Sequence, residues 1–237
     1  MAYAVLTRDP ADAVGYASAL APLEVVAMPV TRTVEIAGAL ADFHPAVDVV
    51  MVMSPRAAHM VVKGSVKAPA VWAVGPATRR ALEIARVAAH VPADVLDGAG
   101  LARALVKAGV AGKRVLVPRA EEGRTEPLDI LRAAGAEVID VIAYRTEPVG
   151  SDDPAVQRGR ELLGGGEAAV CCVFAPSQVA ALAQIVRLPE LRTRMCAIGE
   201  TTAAAVRGAG VAEVAVAATP TPEGIAQAVR SVYPIGR

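Results

Sequence analysis

Residues 47–63, VDVVMVMSPRAAHMVVK, contain the pattern that decides the fold. The apolar run 49–53 is followed directly by Ser54 and Pro55, and then by apolar residues at helical spacing. A strand buried on both faces has this continuous apolar character. A polar capping residue followed by proline is typical of a helix start. The stretch therefore predicts a buried parallel strand that turns directly into a helix.

The same pattern recurs along the whole chain. Apolar, β-rich runs occur at 2–7, 24–30, 47–53, 70–74, 87–91, 114–118, 137–144, 169–174, 195–198 and 213–217. Segments with helical spacing lie between them, at 10–20, 33–42, 55–63, 76–85, 99–108, 126–134, 155–163, 177–186, 200–208 and 222–232. This alternation predicts an α/β fold in which helices cover both faces of parallel sheets.

The two halves of the sequence resemble each other. VGPAT at 74–78 matches IGETT at 198–202, Ser54-Pro55 corresponds to Ala175-Pro176, and Arg8 corresponds to Arg119. The offset grows along the chain, which indicates a duplicated unit of about 115 residues that gained loop insertions in its second copy. Each half has the size of a small flavodoxin-like domain.

Composition and charge exclude several classes of protein. Hydrophobic residues make up 54% of the 237 residues, and the mean hydropathy is +0.43, so the chain has a packed core rather than a disordered character. The 24 basic and 24 acidic residues cancel, and only 3% of residues are aromatic. Neither nucleic acid nor an anionic membrane surface is therefore an expected partner.

The sequence also lacks targeting and cofactor motifs. No apolar run is long enough to cross a membrane, and the N-terminus has no signal-peptide pattern, which predicts a cytoplasmic protein. Cys171, Cys172 and Cys196 are expected to be buried thiols in a reducing compartment. No GxGxxG, P-loop or GxSxG motif is present, and His44, His59 and His90 are isolated. We expect no metal, nucleotide cofactor or covalent intermediate.

Four strand-to-helix turns are candidate anion sites. They are Ser54-Pro55-Arg56, Gly75-Pro76-Ala77-Thr78, Ala175-Pro176-Ser177 and Gly199-Glu200-Thr201-Thr202. Ligands of open parallel sheets bind beyond the carboxyl ends of the strands, where helix N-termini favour anions. Each turn taken alone is equally typical of ordinary helix capping. Their repetition in two facing halves favours a cleft with several dispersed anion sites.

Seven segments, in this order, resemble the uroporphyrinogen-III synthase family from end to end. They are VLTR (5–8), VMSPRAA (52–58), AVGPATRRAL (73–82), VLVPRAEEGRTEPLDILRAAGAEVIDVIAYRTEP (115–148), VFAPSQVAAL (173–182), AIGETTAAAV (197–206) and ATPTPEGIAQAV (218–229). The resemblance implies a monomer with two flavodoxin-like parallel-sheet domains joined by a two-strand connector. Residues 1–30 and 150–237 would form the first domain, 36–142 the second, and 31–35 and 143–149 the connecting strands.

The resemblance also implies the reaction. Members of the family are cofactor-independent lyases of heme biosynthesis that close hydroxymethylbilane to uroporphyrinogen III, with loss of water and inversion of ring D. The substrate carries acetate and propionate groups on every ring, which fits dispersed anion sites better than a strong net positive charge. The upstream enzyme that forms the bilane is a candidate protein partner.

The resemblance assigns candidate site residues. Tyr144 is the candidate that assists departure of the hydroxyl group, the alternative being an aromatic residue that supports the hinge. The candidate substrate-binding residues are Arg8, Ser54, Arg56, Thr78, Arg124, Ser177, Thr201 and Thr202. Two positions depart from the family pattern: Ala175 stands where many members have serine, and Glu200 places a carboxylate at a turn expected to meet carboxylates.

Two other functions are compatible with the sequence. One is a non-catalytic tetrapyrrole-binding or regulatory module of the same fold. The other is a two-lobed binding protein for a different small anion, which would have one compact polar site rather than many dispersed ones.

Overall fold

The computed structural model describes residues 2–41, 43 and 45–234, so that His44 lies outside the described residues. The strands are β1 (Tyr3–Leu6), β2 (Glu24–Ala27), β3 (Thr31–Glu35), β4 (Val49–Val52), β5 (Ala70–Ala73), β6 (Arg114–Ala120), β7 (Glu137–Pro148), β8 (Ala168–Val173), β9 (Arg194–Ala197) and β10 (Val214–Val216). The helices are α1 (Pro10–Leu20), α2 (Pro55–Lys63), α3 (Gly75–Ile84), α4 (Gly98–Ala108), α5 (Glu126–Ala133), α6 (Pro154–Gly165), α7 (Pro176–Ile185), α8 (Glu200–Gly208) and α9 (Pro222–Val232), with a short 3₁₀ helix at Leu188–Glu190.

The chain divides into two compact units. Unit 1 comprises Met1–Arg32 and Glu147–Arg237, and unit 2 comprises Thr33–Thr146. The sheet of unit 1 has the strand order β10-β9-β8-β1-β2, and all of its neighbouring strands are parallel. The predicted α/β class with mainly parallel sheets is confirmed.

The second sheet has the order β3-β7-β6-β4-β5. Its β4, β5, β6 and β7 pair in parallel, whereas β3 lies at the edge beside β7. The N–H of Ile36 donates to the carbonyl of Ala143, and the N–H of Val149 donates to the carbonyl of Val30, both at 2.9 Å. From Val30 to Ile36 the partner residue moves backwards, from Val149 to Ala143, so β3 is antiparallel to β7.

Two predicted elements are wrong. The segment 33–42 was expected to be helical, but β-branched Thr31, Thr33 and Val34 belong to β3, and Gly38 with φ +75° lies in the turn that follows. The predicted strand at 87–91 is reduced to one bridge between His90 and Trp72. It is enclosed between Arg86, at φ +59°, and Pro92, and it contains two alanines, which favour strands poorly.

Short aliphatic side chains allow the helices to pack closely on the sheets. All four residues of β4 are buried, as the apolar run after Asp48 predicts. Gly98 at the start of α4 allows a close approach, because a Cβ there would lie 2.6 Å from Sδ of Met53 and 3.1 Å from Cγ of Pro127, so that these side chains would have to move. This approach brings the N-termini of α4 and α5 against the end of β4.

Candidate active site

A cavity of about 200 Å³ lies within unit 2, at the carboxyl ends of its parallel strands. Its walls come from the turn after β4, the start of α4, the end of β6, the loop that follows β6, the start of α5 and one residue of β7. The lining residues are Met53, Ser54, Asp97, Gly98, Ala99, Pro118, Arg119, Ala120, Gly123, Arg124, Glu126, Pro127 and Tyr144. Three of the residues predicted from the sequence, Ser54, Arg124 and Tyr144, therefore share one cavity.

Tyr144 and Ser54 are in direct contact. Their hydroxyl oxygens are 2.8 Å apart, and the Ser54 oxygen also accepts a hydrogen bond from the N–H of Ala57 at 3.0 Å. Ser54 is the N-cap of α2, so the helix itself fixes its side chain. The pairing of β6 with β7 shifts by one residue between Arg119 and Ala120, which places Tyr144 opposite Ala120. Such irregularities redirect side chains near binding sites.

Arg119 shapes the loop that forms one wall of the cavity. Its Nε and Nη2 bind both carboxylate oxygens of Asp140, at 2.7 and 2.9 Å. Its Nη1 donates to the carbonyls of Ala120, Glu121 and Gly123, at 2.9, 3.2 and 3.3 Å. The hydrogen bond to Asp140 raises the pKa of this guanidinium, which is only 9% exposed. The guanidinium of Arg119 therefore stabilises the loop after β6 through hydrogen bonds to its carbonyl groups.

Sequence reasoning missed Arg119 as a site residue, although a signal existed. Arg119 directly follows the predicted strand 114–118, and Asp140, which has the opposite charge, lies within the next predicted strand, 137–144. Burying either charge alone would be costly, and a pair on neighbouring strands satisfies both.

The two carboxylates at the cavity, Asp97 and Glu126, already have partners within the protein. Oδ1 of Asp97 accepts the N–H of Gly100 at 2.7 Å, and Glu126 pairs with Arg103 at 3.1 Å. Arg124 is exposed at the rim. Because the two carboxylates have partners, this arginine is the group best placed to meet an anionic ligand.

Two more predicted residues of unit 2 lie elsewhere. Among the described residues, the cavity lining does not include exposed Arg56 or Thr78, which is 2% exposed. Both belong to the first turn of a helix, α2 for Arg56 and α3 for Thr78.

The equivalent strand ends of unit 1 carry a different cluster. Arg8 donates from Nη1 to the Tyr16 hydroxyl at 3.2 Å, and its guanidinium carbon lies 4.4 Å from the Phe174 ring centre. Burial raises the pKa of Tyr16. Oε1 of Gln178 accepts the Thr7 hydroxyl at 2.7 Å and the N–H of Phe174 at 2.9 Å. Arg8 is therefore held by aromatic rings rather than by a carboxylate.

The remaining candidates of unit 1 lie at the starts of α7 and α8. Ser177 and Thr201 are exposed, whereas Thr202 is only 3% exposed. Glu200 hydrogen-bonds to Arg207, further along α8, so its carboxylate already has a cationic partner. This pairing weakens the repulsion of a carboxylate ligand that the sequence suggested at Glu200.

Within residues 2–41, 43 and 45–234, no group of three or more His, Cys, Asp or Glu side chains could hold a metal ion. In the same ranges, no helix is long and apolar enough to cross a membrane. All three cysteines are buried free thiols, as predicted.

Comparisons with known proteins agree with the sequence motifs. The family model described as uroporphyrinogen-III synthase HemD matches residues 17–227. Similar solved structures include a mutant uroporphyrinogen III synthase from Thermus thermophilus, with 20% identity, 98% of each chain covered and a TM-score of 0.55. Another is uroporphyrinogen-III synthetase from Helicobacter pylori, with 15% identity, 98% of this chain and 99% of that chain covered, and a TM-score of 0.67. A search of curated protein sequences gave no significant match.

Proposed function

The chain belongs to the uroporphyrinogen-III synthase family, and on that premise we propose that the unit 2 cavity is where its reaction takes place. That reaction closes hydroxymethylbilane to uroporphyrinogen III, with inversion of ring D and loss of water, and needs no cofactor. The observation that carries the proposal is that Tyr144 and Ser54 both line the cavity, with their hydroxyl oxygens 2.8 Å apart.

Tyr144 is proposed as the proton donor to the departing hydroxyl group. Hydroxymethylbilane also closes spontaneously, but to isomer I, so the enzyme must bend the substrate until ring D attacks through its substituted carbon to give a spirocyclic intermediate. A positioned phenol assists this sequence by protonating the leaving oxygen. General acid catalysis of this kind contributes roughly 10²–10⁴ in rate.

The substrate carboxylates are proposed to bind the candidates whose side chains are exposed or, for Arg8, half-buried. Arg124 lies at the cavity, and Arg56 belongs to the helix that Ser54 caps. In unit 1 the proposed groups are Arg8, Ser177 and Thr201, which follow strands or begin helices. For buried Thr78 and Thr202, the same role requires the hydroxyl to reach a carboxylate at the surface of the turn.

We also propose that each unit is a flavodoxin-like domain, with the boundaries 1–30 plus 150–237 and 36–142, and with 31–35 and 143–149 as connecting strands. The order β2-β1-β8-β9-β10 supports this for unit 1, because flavodoxin-like sheets have the order 2-1-3-4-5. In unit 2, β5-β4-β6-β7 follows that order as far as its fourth strand, and antiparallel β3 occupies the fifth place. On the family resemblance, the protein is proposed to act as a cytoplasmic monomer supplied by an upstream bilane-forming enzyme.

The product isomer tests the proposed function. Purified chain without added metal or nucleotide is mixed with freshly generated hydroxymethylbilane, and the products are oxidised to porphyrins and separated. We expect isomer III to replace most of isomer I. Folded protein that yields isomer I alone would contradict the proposal and favour a non-catalytic tetrapyrrole-binding module.

A further inference from the structure

We infer that Ser54 is a positioning residue that donates its proton to the Tyr144 oxygen, so that the Tyr144 O–H is free to point into the cavity. The inference rests on the proposed function and changes the role of Ser54, which the sequence assigned to substrate binding. In the 2.8 Å hydrogen bond between the two hydroxyls, Ser54 is then the donor and Tyr144 the acceptor.

The surroundings of Ser54 favour this direction. The N–H of Ala57 donates to the Ser54 oxygen, and Pro55 begins α2 immediately after it. A hydroxyl whose oxygen already accepts a hydrogen bond becomes a better donor, because successive hydrogen bonds polarise one another. The positive end of α2 adds to this polarisation. The Ser54 proton is therefore directed to the Tyr144 oxygen, 2.8 Å away.

The opposite direction would remove the phenol proton from the reaction. If Tyr144 donated to Ser54, its proton would be held within the pair and only its lone pairs would face the cavity. With Ser54 as donor, the backbone amide of α2, the serine hydroxyl and the phenol form one chain that ends at a free O–H. This arrangement presents a proton donor to the ligand.

The arrangement also stabilises the charge that proton transfer creates. The phenol O–H bond breaks as its proton joins the substrate hydroxyl, and the C–O bond breaks with its electron pair leaving in water. The substrate keeps a cation that its pyrrole nitrogen stabilises, and Tyr144 becomes a phenolate that accepts the Ser54 hydrogen bond. The proton lost from ring D at closure restores the phenol, so the net product is the macrocycle and one water.

A double-mutant cycle tests the inference, using Ser54→Ala, Tyr144→Phe and the double variant. Steady-state rates of isomer III formation give kcat and KM for each. We expect Ser54→Ala to lower kcat at least about ten-fold with KM nearly unchanged, because it removes a hydrogen bond to a group that becomes charged. In the Tyr144→Phe background, the same change should alter kcat by less than about three-fold.

Controls separate this effect from loss of the helix cap. Ser54→Thr keeps the hydroxyl and should restore kcat to within about three-fold of the parent protein. Ser54→Gly keeps most of the cap stability and should be as slow as Ser54→Ala, which covers the case of a poorly folded alanine variant. Asp153→Ala removes the cap of α6, where Asp153 accepts the N–H of Ala155 at 2.9 Å, and should leave kcat unchanged.

Two kinds of failure can be told apart. If the losses from Ser54→Ala and Tyr144→Phe multiply, or if Ser54→Ala raises KM instead of lowering kcat, then Ser54 contacts the substrate directly and the inference is wrong. If Tyr144→Phe itself costs less than about ten-fold, the proton-donor role in the proposed function is wrong, and the inference falls with it.

Discussion

The start of α2 in unit 2 and the start of α7 in unit 1 have the same backbone but different chemistry. The capping residues Ser54 and Ala175 have φ/ψ values of −157°/157° and −157°/153°. Ser54 offers a hydroxyl that joins its helix to Tyr144, whereas Ala175 offers a methyl group that cannot accept a hydrogen bond. The duplicated turn has kept its geometry, and its polar function differs between the two units.

The two arginines that the repeat aligns differ in the same way. Arg119 is bound by Asp140 and by three carbonyls, whereas Arg8 rests on Phe174 and donates to Tyr16. A guanidinium whose N–H groups are all hydrogen-bonded within the protein fixes a loop. A guanidinium that packs on aromatic rings keeps N–H groups that can donate to a ligand. The comparison teaches that, in this duplicated fold, equivalent positions predict backbone geometry better than they predict function.

The largest expected effect concerns these arginines. Arg119→Met should lower the free energy of unfolding by about 3 kcal/mol, because Asp140 and the loop carbonyls lose their partner. Arg8→Met should cost about 1 kcal/mol, since it loses mainly a cation–π contact. Chemical denaturation followed by fluorescence of Trp72, the single tryptophan, reports unit 2, and circular dichroism reports both units. Equal losses of unfolding free energy in the two variants would contradict the proposed difference between Arg119 and Arg8.

Alkaline pH should destabilise unit 1 more than unit 2, because the buried thiols Cys171 and Cys172 belong to unit 1. Burial raises the pKa of Cys171 to about 12, and the pKa of Cys172 is also raised, first by its hydrogen bond to Cys196 and then by burial. Between pH 9 and about 12 the Cys171 thiol ionises in the unfolded chain but stays protonated in the folded protein, so the free energy of unfolding falls as pH rises. The raised pKa of Cys172 acts in the same direction. The loss should be about 2 kcal/mol at pH 10.5 for Cys171.

This pH effect is measured by denaturation at pH 8 and pH 10.5. Iodoacetamide labelling of the cysteines, read by mass spectrometry, follows unit 1, and Trp72 fluorescence follows unit 2. Cys171→Ala should flatten the pH dependence of unit 1. A loss of stability confined to unit 2 would contradict this account of the thiols.

The threonine pair tests whether both units bind substrate. Thr78→Val and Thr202→Val should each weaken product binding about ten-fold if their hydroxyls bind carboxylates, and the losses should add because the residues lie in different units. A packing or capping role instead predicts a lower melting temperature, about 1 kcal/mol of lost stability and unchanged affinity. Melting and anaerobic product binding, measured on the same preparations, distinguish the two roles.

Local patterns in the sequence predicted most of the fold. Continuous apolar runs and proline-punctuated helix starts are local signals, and strands such as β4 and helices such as α2 lie where those signals place them. The segment 33–42 was predicted wrongly because its strand is stabilised by pairing with β7, more than 100 residues later. That pairing is not visible in the spacing of apolar residues within 33–42, whereas 137–144 was predicted as a strand from its own apolar run.

The candidate site was predicted less completely for the same reason. The motifs pointed to Ser54, Arg124 and Tyr144, which the structure brings to one cavity. The contact between Ser54 and Tyr144 joins positions 90 residues apart, and the Arg119–Asp140 pair depends on the register of two strands. Sequence spacing does not predict the contact between Ser54 and Tyr144, and the opposite charges of Arg119 and Asp140 indicate a pair without its geometry, because both contacts arise from the arrangement of the sheet.

The most direct test of the central claim is the single-turnover rate of isomer III formation by Tyr144→Phe, with Tyr3→Phe as a matched loss of one phenolic oxygen in unit 1. If the chemistry takes place at the strand ends of unit 2, Tyr144→Phe should be slower by roughly 10² or more, with product affinity nearly unchanged. Tyr3→Phe should stay within about two-fold of the parent protein. A Tyr144→Phe rate within about ten-fold of the parent rate would contradict the claim and leave the proton donor to be sought elsewhere.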